Sequence, residues 1–230
     1  MKRFWTEVAV VAEDDGWGIA LDGRPVRTPQ RAPLAVASPA LAEAIAAEWR
    51  DVGGTIDPAM MPMTGLTNAA IDLATPDLAA FAAPVAAYAE SDLFCYRDAR
   101  DAALQAEQAA AWNPLLAWAE ARYRIEFTLT QGVLPVDQPP ATIEALQDAV
   151  LAQDAWRITA LTPLVTIGGS LVAGLALLAD AFDAHALWAA VSLDDLYQER
   201  RWGADSEAQK ARATHKRDWD NAARFLRLLD

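Results

Sequence analysis

The side chains best placed to do chemistry surround the chain's single cysteine. Cys95 sits in the run Ser-Asp-Leu-Phe-Cys-Tyr-Arg, residues 91–97, with Asp92 three positions before it and Arg97 two after. A cysteine attacks as the thiolate, and at neutral pH it needs a base, most often a histidine within hydrogen-bond reach. Arg97 would lower the thiol pKa and Asp92 would raise it. The two histidines, His185 and His215, are remote in sequence, so only the tertiary fold could supply the base. Free cysteine is among the most buried residue types, and a buried structural thiol is the favoured reading. The alternative is a small hydrolase or transferase with Cys95 as nucleophile.

A second group is acidic. Asp194 and Asp195 are followed one helical turn later by Glu199. Paired carboxylates do acid–base work when burial raises one pKa; on a helix they more often form a solvated face. They belong to LDDLYQERRWGADSEA, residues 193–208, where Tyr197, Gln198, Arg200, Arg201 and Trp202 crowd a helix end before the Gly203 stop and a new N-cap. Tyr, Trp and Arg anchor protein interfaces. A helix corner with a tucked tryptophan would use the same composition.

Other chemistries lack their spacing. There is no His-Glu-x-x-His or Cys-x-x-Cys pattern, so no metal is expected. The glycines of GWGIALDG and IGGSLVAG lack the flanking strand, helix and lysine of a phosphate cradle, so no cofactor is expected either. A net charge of −13 repels nucleic acid, with only the short basic stretch 210–217 against it. A lone cysteine gives no internal disulfide, and MKRFWTEVAVVAEDD resembles neither a signal nor a transit peptide. The expectation is a cytoplasmic protein. The uncharged run 160–179 is long enough for a membrane span. Pro163, Gly168, Gly169, Gly174 and the acids that follow favour a buried core helix, so no membrane insertion is expected.

The elements that must position these residues fall into two parts. EVAVV and WGIAL alternate like strands joined through Asp15-Gly16, and Asp22-Gly23 turns the chain again. Two short proline-tolerant strands follow, RPVRTP and PLAV, predicting an antiparallel meander. Ser38-Pro39 opens a helix with Leu41, Ile45 and Trp49 on one face, stopped at Gly53-Gly54. This is an α+β N-terminal domain over residues 1–75. From 76 to 230 the pattern is mainly helical. Thr75-Pro76 caps one helix, and a second carries Trp112 with Pro114 as a kink or fresh start. IEFTLT is expected to be a short strand or hairpin arm. Four further helices are predicted, over 143–151, 163–179, 184–200 and 206–229, the last with Ser206 as N-cap. Trp5, Trp17, Trp49 and Trp112 are candidate core residues.

Six segments in order and spacing carry a family resemblance: LDGRPVRTP (21–29), AIAAEW (44–49), MPMTGLTNAAID (61–72), SDLFCYR (91–97), QAAAWNPLLAWAEARY (108–123) and LYQERRWG (196–203). Together they resemble the ATP-twelve-type chaperones, assembly factors of the F-type ATP synthase catalytic head. The likeness runs from about Phe4 to the final helix, and the N-terminus resembles bacterial members; eukaryotic relatives work in the mitochondrial matrix. The resemblance implies a small α+β domain followed by a helical one, no enzymatic activity, and binding of the unassembled alpha subunit until beta covers the same surface. It implies partner contact at Asp194, Asp195, Gln198, Glu199, Trp202, Asp205 and Glu207. Trp49, Asp92, Cys95, Tyr96, Arg97 and Gly203 are family-motif positions for which a structural role is expected.

Overall fold

The computed structural model describes residues 2–14, 16–132 and 134–230. The fold is α+β, and the chain separates into two compact units. One comprises residues 1–81, 154–160 and 221–230; the other comprises 82–153 and 161–220. The first unit thus continues a few residues past the expected boundary at 75 and takes up two later segments.

In the first unit, β1 (Val8–Glu13) pairs antiparallel with β2 (Gly16–Leu21), Val10 opposite Ile19. Asp15, half of the expected first turn, lies outside the described residues. Asp22-Gly23 hands β2 to the two-residue β3 (Arg24–Pro25). β4 (Ala35–Val36) does not extend the meander beyond β3. It returns to β2, with Trp17 opposite Val36, so β3 and β4 share one edge of β2. β2 is accordingly central: Ile19, Ala20 and Leu21 are all buried, whereas Trp17 at its outer end is 36% exposed.

Helix α1 (Pro39–Asp51) begins as predicted, Ser38 Oγ accepting the Leu41 N–H at 3.3 Å. It lays Leu41, Ile45 and Trp49 into a core with Trp5, Ile19, Leu34 and Phe225. The Trp5 indole N–H donates to the Trp49 carbonyl at 3.3 Å. Helix α2 (Pro62–Ala69), which runs into a π-helical turn at Ala70–Ala74, was not predicted. Its Pro62 and Gly65 mask the helical period, and its cap comes from a distant residue. Both Glu48 carboxylate oxygens accept its first N–H groups, from Met63 at 2.7 Å and Thr64 at 2.8 Å. Such a carboxylate satisfies orphan donors and complements the positive helix end.

The helical pattern then takes over. Helix α3 (Leu78–Ala86) tolerates Pro84 near its end. Asp77, which accepts the Ala80 N–H, takes the capping role expected of Thr75, whose hydroxyl instead donates back to the Ala70 carbonyl. β5 (Tyr96–Arg97) pairs in parallel with β6 (Thr130–Gln131). Of the IEFTLT run, expected as a short strand or hairpin arm, only Thr130 is in a ladder, with Gln131 just after it. Helix α4 (Ala102–Tyr123) passes through Pro114 without a fresh start.

Helix α5 (Pro140–Leu151) precedes a pair where one helix was expected over 163–179. These are α6 (Ala155–Gly168) and α7 (Leu171–Leu178). Gly169 (φ 67°) breaks the run and Ser170 recaps it, its Oγ accepting the Ala173 N–H. The uncharged stretch is therefore two helices, and most of α7 is buried inside the second unit. The 184–200 region likewise divides at Ser192 into α8 (Ala184–Val191) and α9 (Leu193–Trp202), before α10 (Ser206–Arg227). Phe94, Trp112, Leu115, Leu146, Leu161 and Trp219 fill this unit's core.

Candidate partner-binding surface

The turn from α9 into α10 brings most of the expected contact residues to one place. Gly203 closes α9 by donating its N–H to the Glu199 carbonyl at 3.0 Å. Its backbone, at φ 94° and ψ 163°, is a conformation open essentially to glycine alone. Asp205, not Ser206, caps α10: its Oδ1 accepts the Glu207 N–H at 2.8 Å and the Ala208 N–H at 2.9 Å. The two helices leave an open cleft of about 400 Å³. Asp195, Gln198, Glu199 and Trp202 form one wall, with Ala208, Ala211, Arg212 and His215 opposite. Trp202 stands at its side 72% exposed.

The acids of this corner are not equivalent. Glu199 accepts hydrogen bonds from Gln209 and Arg212, which hold its carboxyl below the usual range, Gln209 contributing most. Glu207 is bridged by Lys210 at 2.7 Å. Asp205 is occupied in capping. Asp195 is exposed, lines the cleft, and has no hydrogen bond or ion pair among the described residues. Asp194 faces another way: it is half-buried, accepts from Gln108 Nε2 at 2.9 Å, and its pKa is raised, first by burial.

A second cleft, of about 450 Å³, lies beyond Leu196 and Arg200 on α9. Its lining is mostly apolar, with Pro114 and Leu115 from α4, Leu187 from α8, Leu193 from α9 and Phe182, and the ion-paired Glu107 and Arg200 stand among them. Sequence reasoning did not find it, because its walls are ordinary core-type residues whose exposure depends on how three helices splay.

Asp92, Phe94 and Cys95 of the SDLFCYR segment are buried, whereas Ser91 is exposed. Asp92 is 1% exposed. One carboxylate oxygen accepts the Phe94 N–H at 3.0 Å; the other accepts the Ser170 hydroxyl at 3.0 Å and the Val172 N–H at 2.9 Å, joining this segment to the start of α7. Burial raises its pKa to about 6 against the pull of those donors. Cys95 is fully buried, and burial, with the Asp92 charge next, pushes its thiol up to about 12. A thiol so placed is protonated at neutral pH, which removes the basis for a Cys95 nucleophile. Tyr96 and Arg97 form β5. Arg97 lies over the Trp112 ring at 5.1 Å and donates to Asn113 Oδ1 at 2.8 Å. Trp49 is in the first unit's core, 9% exposed.

The chain is α+β, its single cysteine is sealed, and Trp202 stands exposed on an acidic helix corner; its relatives place it among chaperones. The crystal structure of Atp12 from Paracoccus denitrificans superposes with a TM-score of 0.94 at 39% identity, covering 100% of this chain and 98% of that one. A chaperone candidate from Agrobacterium tumefaciens gives a TM-score of 0.93 at 33% identity, over 100% and 86% of the two chains. The mitochondrial protein atp12 of Schizosaccharomyces pombe is 22% identical over 221 residues, 91% of this chain and 76% of its own length. The sequence model of the ATP12 chaperone protein family matches residues 2–120. The chain belongs to the ATP12 chaperone family.

Proposed function

We propose that this protein is a holding chaperone in ATP synthase assembly, which binds the unassembled alpha subunit and masks its beta-facing surface until beta replaces it. An unpaired obligate interface exposes a large apolar patch, which aggregates unless covered. A suitable cover combines apolar area with a polar rim and yields to the larger, correct interface. The observation that carries this reading is Trp202, 72% exposed on an acidic corner with an open cleft on either side of α9. An exposed tryptophan at the side of a largely polar cleft, with a more apolar cleft across α9, has the form of an interface anchor and its rim. Asp195, Gln198 and Glu199 border it and would orient a client surface carrying basic residues, acting more on encounter than on final affinity. Asp205 and Glu207 shape the turn beneath them. Asp194 supports α9 from within. The activity is binding rather than catalysis, uses no cofactor, and takes place in the bacterial cytoplasm.

Co-expression of the tagged chain with the host's alpha subunit, without beta, tests this. Retention and increased solubility of alpha, both lost on adding beta, are expected. Trp202→Ala, which removes no core contact, should abolish retention while leaving the thermal midpoint unchanged. Alpha that aggregates regardless of the chaperone rejects the function; alpha retained equally by Trp202→Ala rejects this surface.

A further inference from the structure

We propose that Gln108, on α4, is a positioning residue for client binding: its side-chain amide locks Asp194 and so sets the rotation of α9 that presents Asp195 and Trp202. The client's part in this rests on the holdase reading; the aim of α9 does not.

Apolar packing does not fix that rotation. Of the ten residues of α9, only Leu193 and Tyr197 are buried. Between Leu193 and Leu196 on one side and Leu115 and Leu187 on the other, the cleft of about 450 Å³ stays open. Apolar burial is in any case non-directional, whereas a hydrogen bond fixes both a distance and an angle. The inner stripe of α9 is held by polar groups instead. Asp194 Oδ1 accepts from Gln108 Nε2 at 2.9 Å. One turn on, the Tyr197 hydroxyl donates to Asp101 Oδ2 at 2.8 Å, and after a further turn Arg201 lies 3.8 Å from the same oxygen. Asp101 is the N-cap of α4 and Gln108 lies inside that helix, so the contacts run antiparallel along the two helices. Arg200 also pairs with Glu107, but both ends are well exposed, and such pairs contribute little.

The Gln108 amide cannot turn over. It is 1% exposed, and its Oε1 accepts the Asp98 N–H at 2.8 Å. A backbone N–H only donates, so the NH2 group of the amide must face Asp194. The lock therefore asks for an acceptor at position 194, not for a charge. Asp195, Gln198 and Trp202 belong to the other side of α9 and line the cleft towards α10. A rotation of α9 that broke the lock would carry them away from that cleft. Holding the helix in place beforehand reduces the ordering cost of binding, which gives a buried residue on α4 an effect on a surface it does not touch.

The test reverses the hydrogen bond. Gln108→Glu keeps an acceptor for the Asp98 N–H but sets a carboxylate against Asp194, and two carboxylates in contact repel. Asp194→Asn removes the charge and keeps an acceptor for Gln108. Together the two substitutions restore the pair with the donor on α9, at the net charge of the wild type. Each full-length variant is co-expressed with a differently tagged wild-type chain and a limiting amount of the host's alpha subunit, and the alpha captured by each is compared. Gln108→Glu should capture about tenfold less, the effect of one lost hydrogen bond. Asp194→Asn and the double variant should stay within about threefold of the wild type. Tyr197→Phe, which deletes only the hydroxyl bound to Asp101, should also capture about tenfold less, and it decides the matter if Gln108→Glu does not fold. Tryptophan labelled with 19F reports on α9 without any client. The Trp202 resonance, assigned by its loss in Trp202→Phe, should move in Gln108→Glu and return in the double variant. A role confined to stability would lower the thermal midpoint and leave that resonance in place in the folded protein. The proposal is overturned by capture that is equal in all variants, by a Trp202 resonance indifferent to Gln108→Glu and Tyr197→Phe, or by a double variant no better than Gln108→Glu. Capture lost in Asp194→Asn also overturns it, by making Asp194 a charged client contact. A wild type that captures no alpha rejects the holdase reading and the client's part with it; the Trp202 resonance then decides the aim of α9 by itself.

Discussion

Asp92 offers a quantitative test of what holds the second unit together. Two opposing effects act on its carboxyl: burial favours the neutral form, while the Phe94 and Val172 N–H groups and the Ser170 hydroxyl favour the charged one. Burial wins, taking the pKa from 3.8 to about 6. Asp92 thus holds its proton more tightly folded than unfolded. Its contribution to stability is fully present below about pH 4, is lost as the pH rises to about 6, and is constant above that. The rise of about two pH units corresponds to about 3 kcal/mol at roughly 1.4 kcal/mol per unit. Asp92→Asn removes the ionisation, keeps one acceptor oxygen and turns an NH2 group towards donors that had a carboxylate. Its cost relative to wild type should therefore be about 3 kcal/mol larger at pH 4 than at pH 7, because only the wild type carries the buried charge at pH 7. Asp92→Ala leaves three buried donors unpaired, at roughly 1–3 kcal/mol each, and should cost several kcal/mol at either pH. Urea unfolding of all three proteins, followed by tryptophan fluorescence across pH 4–7, measures these differences; Trp112, whose ring centroid lies 5.5 Å from that of Phe94, reports on the site. A cost for Asp92→Asn that is equal at the two pH values, or larger at pH 7, would falsify the reasoning by showing that the donors outweigh burial.

Three further outcomes are expected. Gly174→Ala should destabilise by about 1–3 kcal/mol, because a Cβ there would lie 2.6 Å from Leu161 Cδ1 and 2.8 Å from Val165 Cγ2; thermal melting beside Gly53→Ala, which meets nothing, gives the comparison. Cys95 should resist iodoacetamide in the native protein near pH 7.5 and react fully in urea, read by mass spectrometry; native labelling as fast as a free thiol refutes the sealed site. Glu48→Ala strips α2 of the cap formed with Met63 and Thr64 and should cost about 1–2 kcal/mol. Amide exchange at those two residues should quicken with it, and unchanged exchange would show that water replaces the carboxylate without loss.

Much was legible in the sequence because it depends on neighbours along the chain. The β1–β2 hairpin, the Ser38 cap, the buried face Leu41–Ile45–Trp49 and the Gly203 stop follow from strand and helix periods and from local capping chemistry. The ordered segments also carried the family. Where local rules compete, the tertiary structure decided. β4 returns to β2 because that edge was free along its first half. Helix α2 forms from a Pro- and Gly-containing segment because Glu48, fourteen residues before Pro62, caps it. The 163–179 and 184–200 runs divide because Gly169 and Ser192 meet the demands of packing, which hydropathy alone does not register. The same holds for function. The residue types at 194–207 marked an interface by composition, but their division into a free Asp195, a paired Glu199, a capping Asp205 and an inward Asp194 comes from three-dimensional partners. So does the mostly apolar cleft beside α9, which exists only where separate elements meet. Sequence determines what each segment can do with its own neighbours; the fold decides which side chains are spent on internal partners and which, like Asp195 and Trp202, stay exposed.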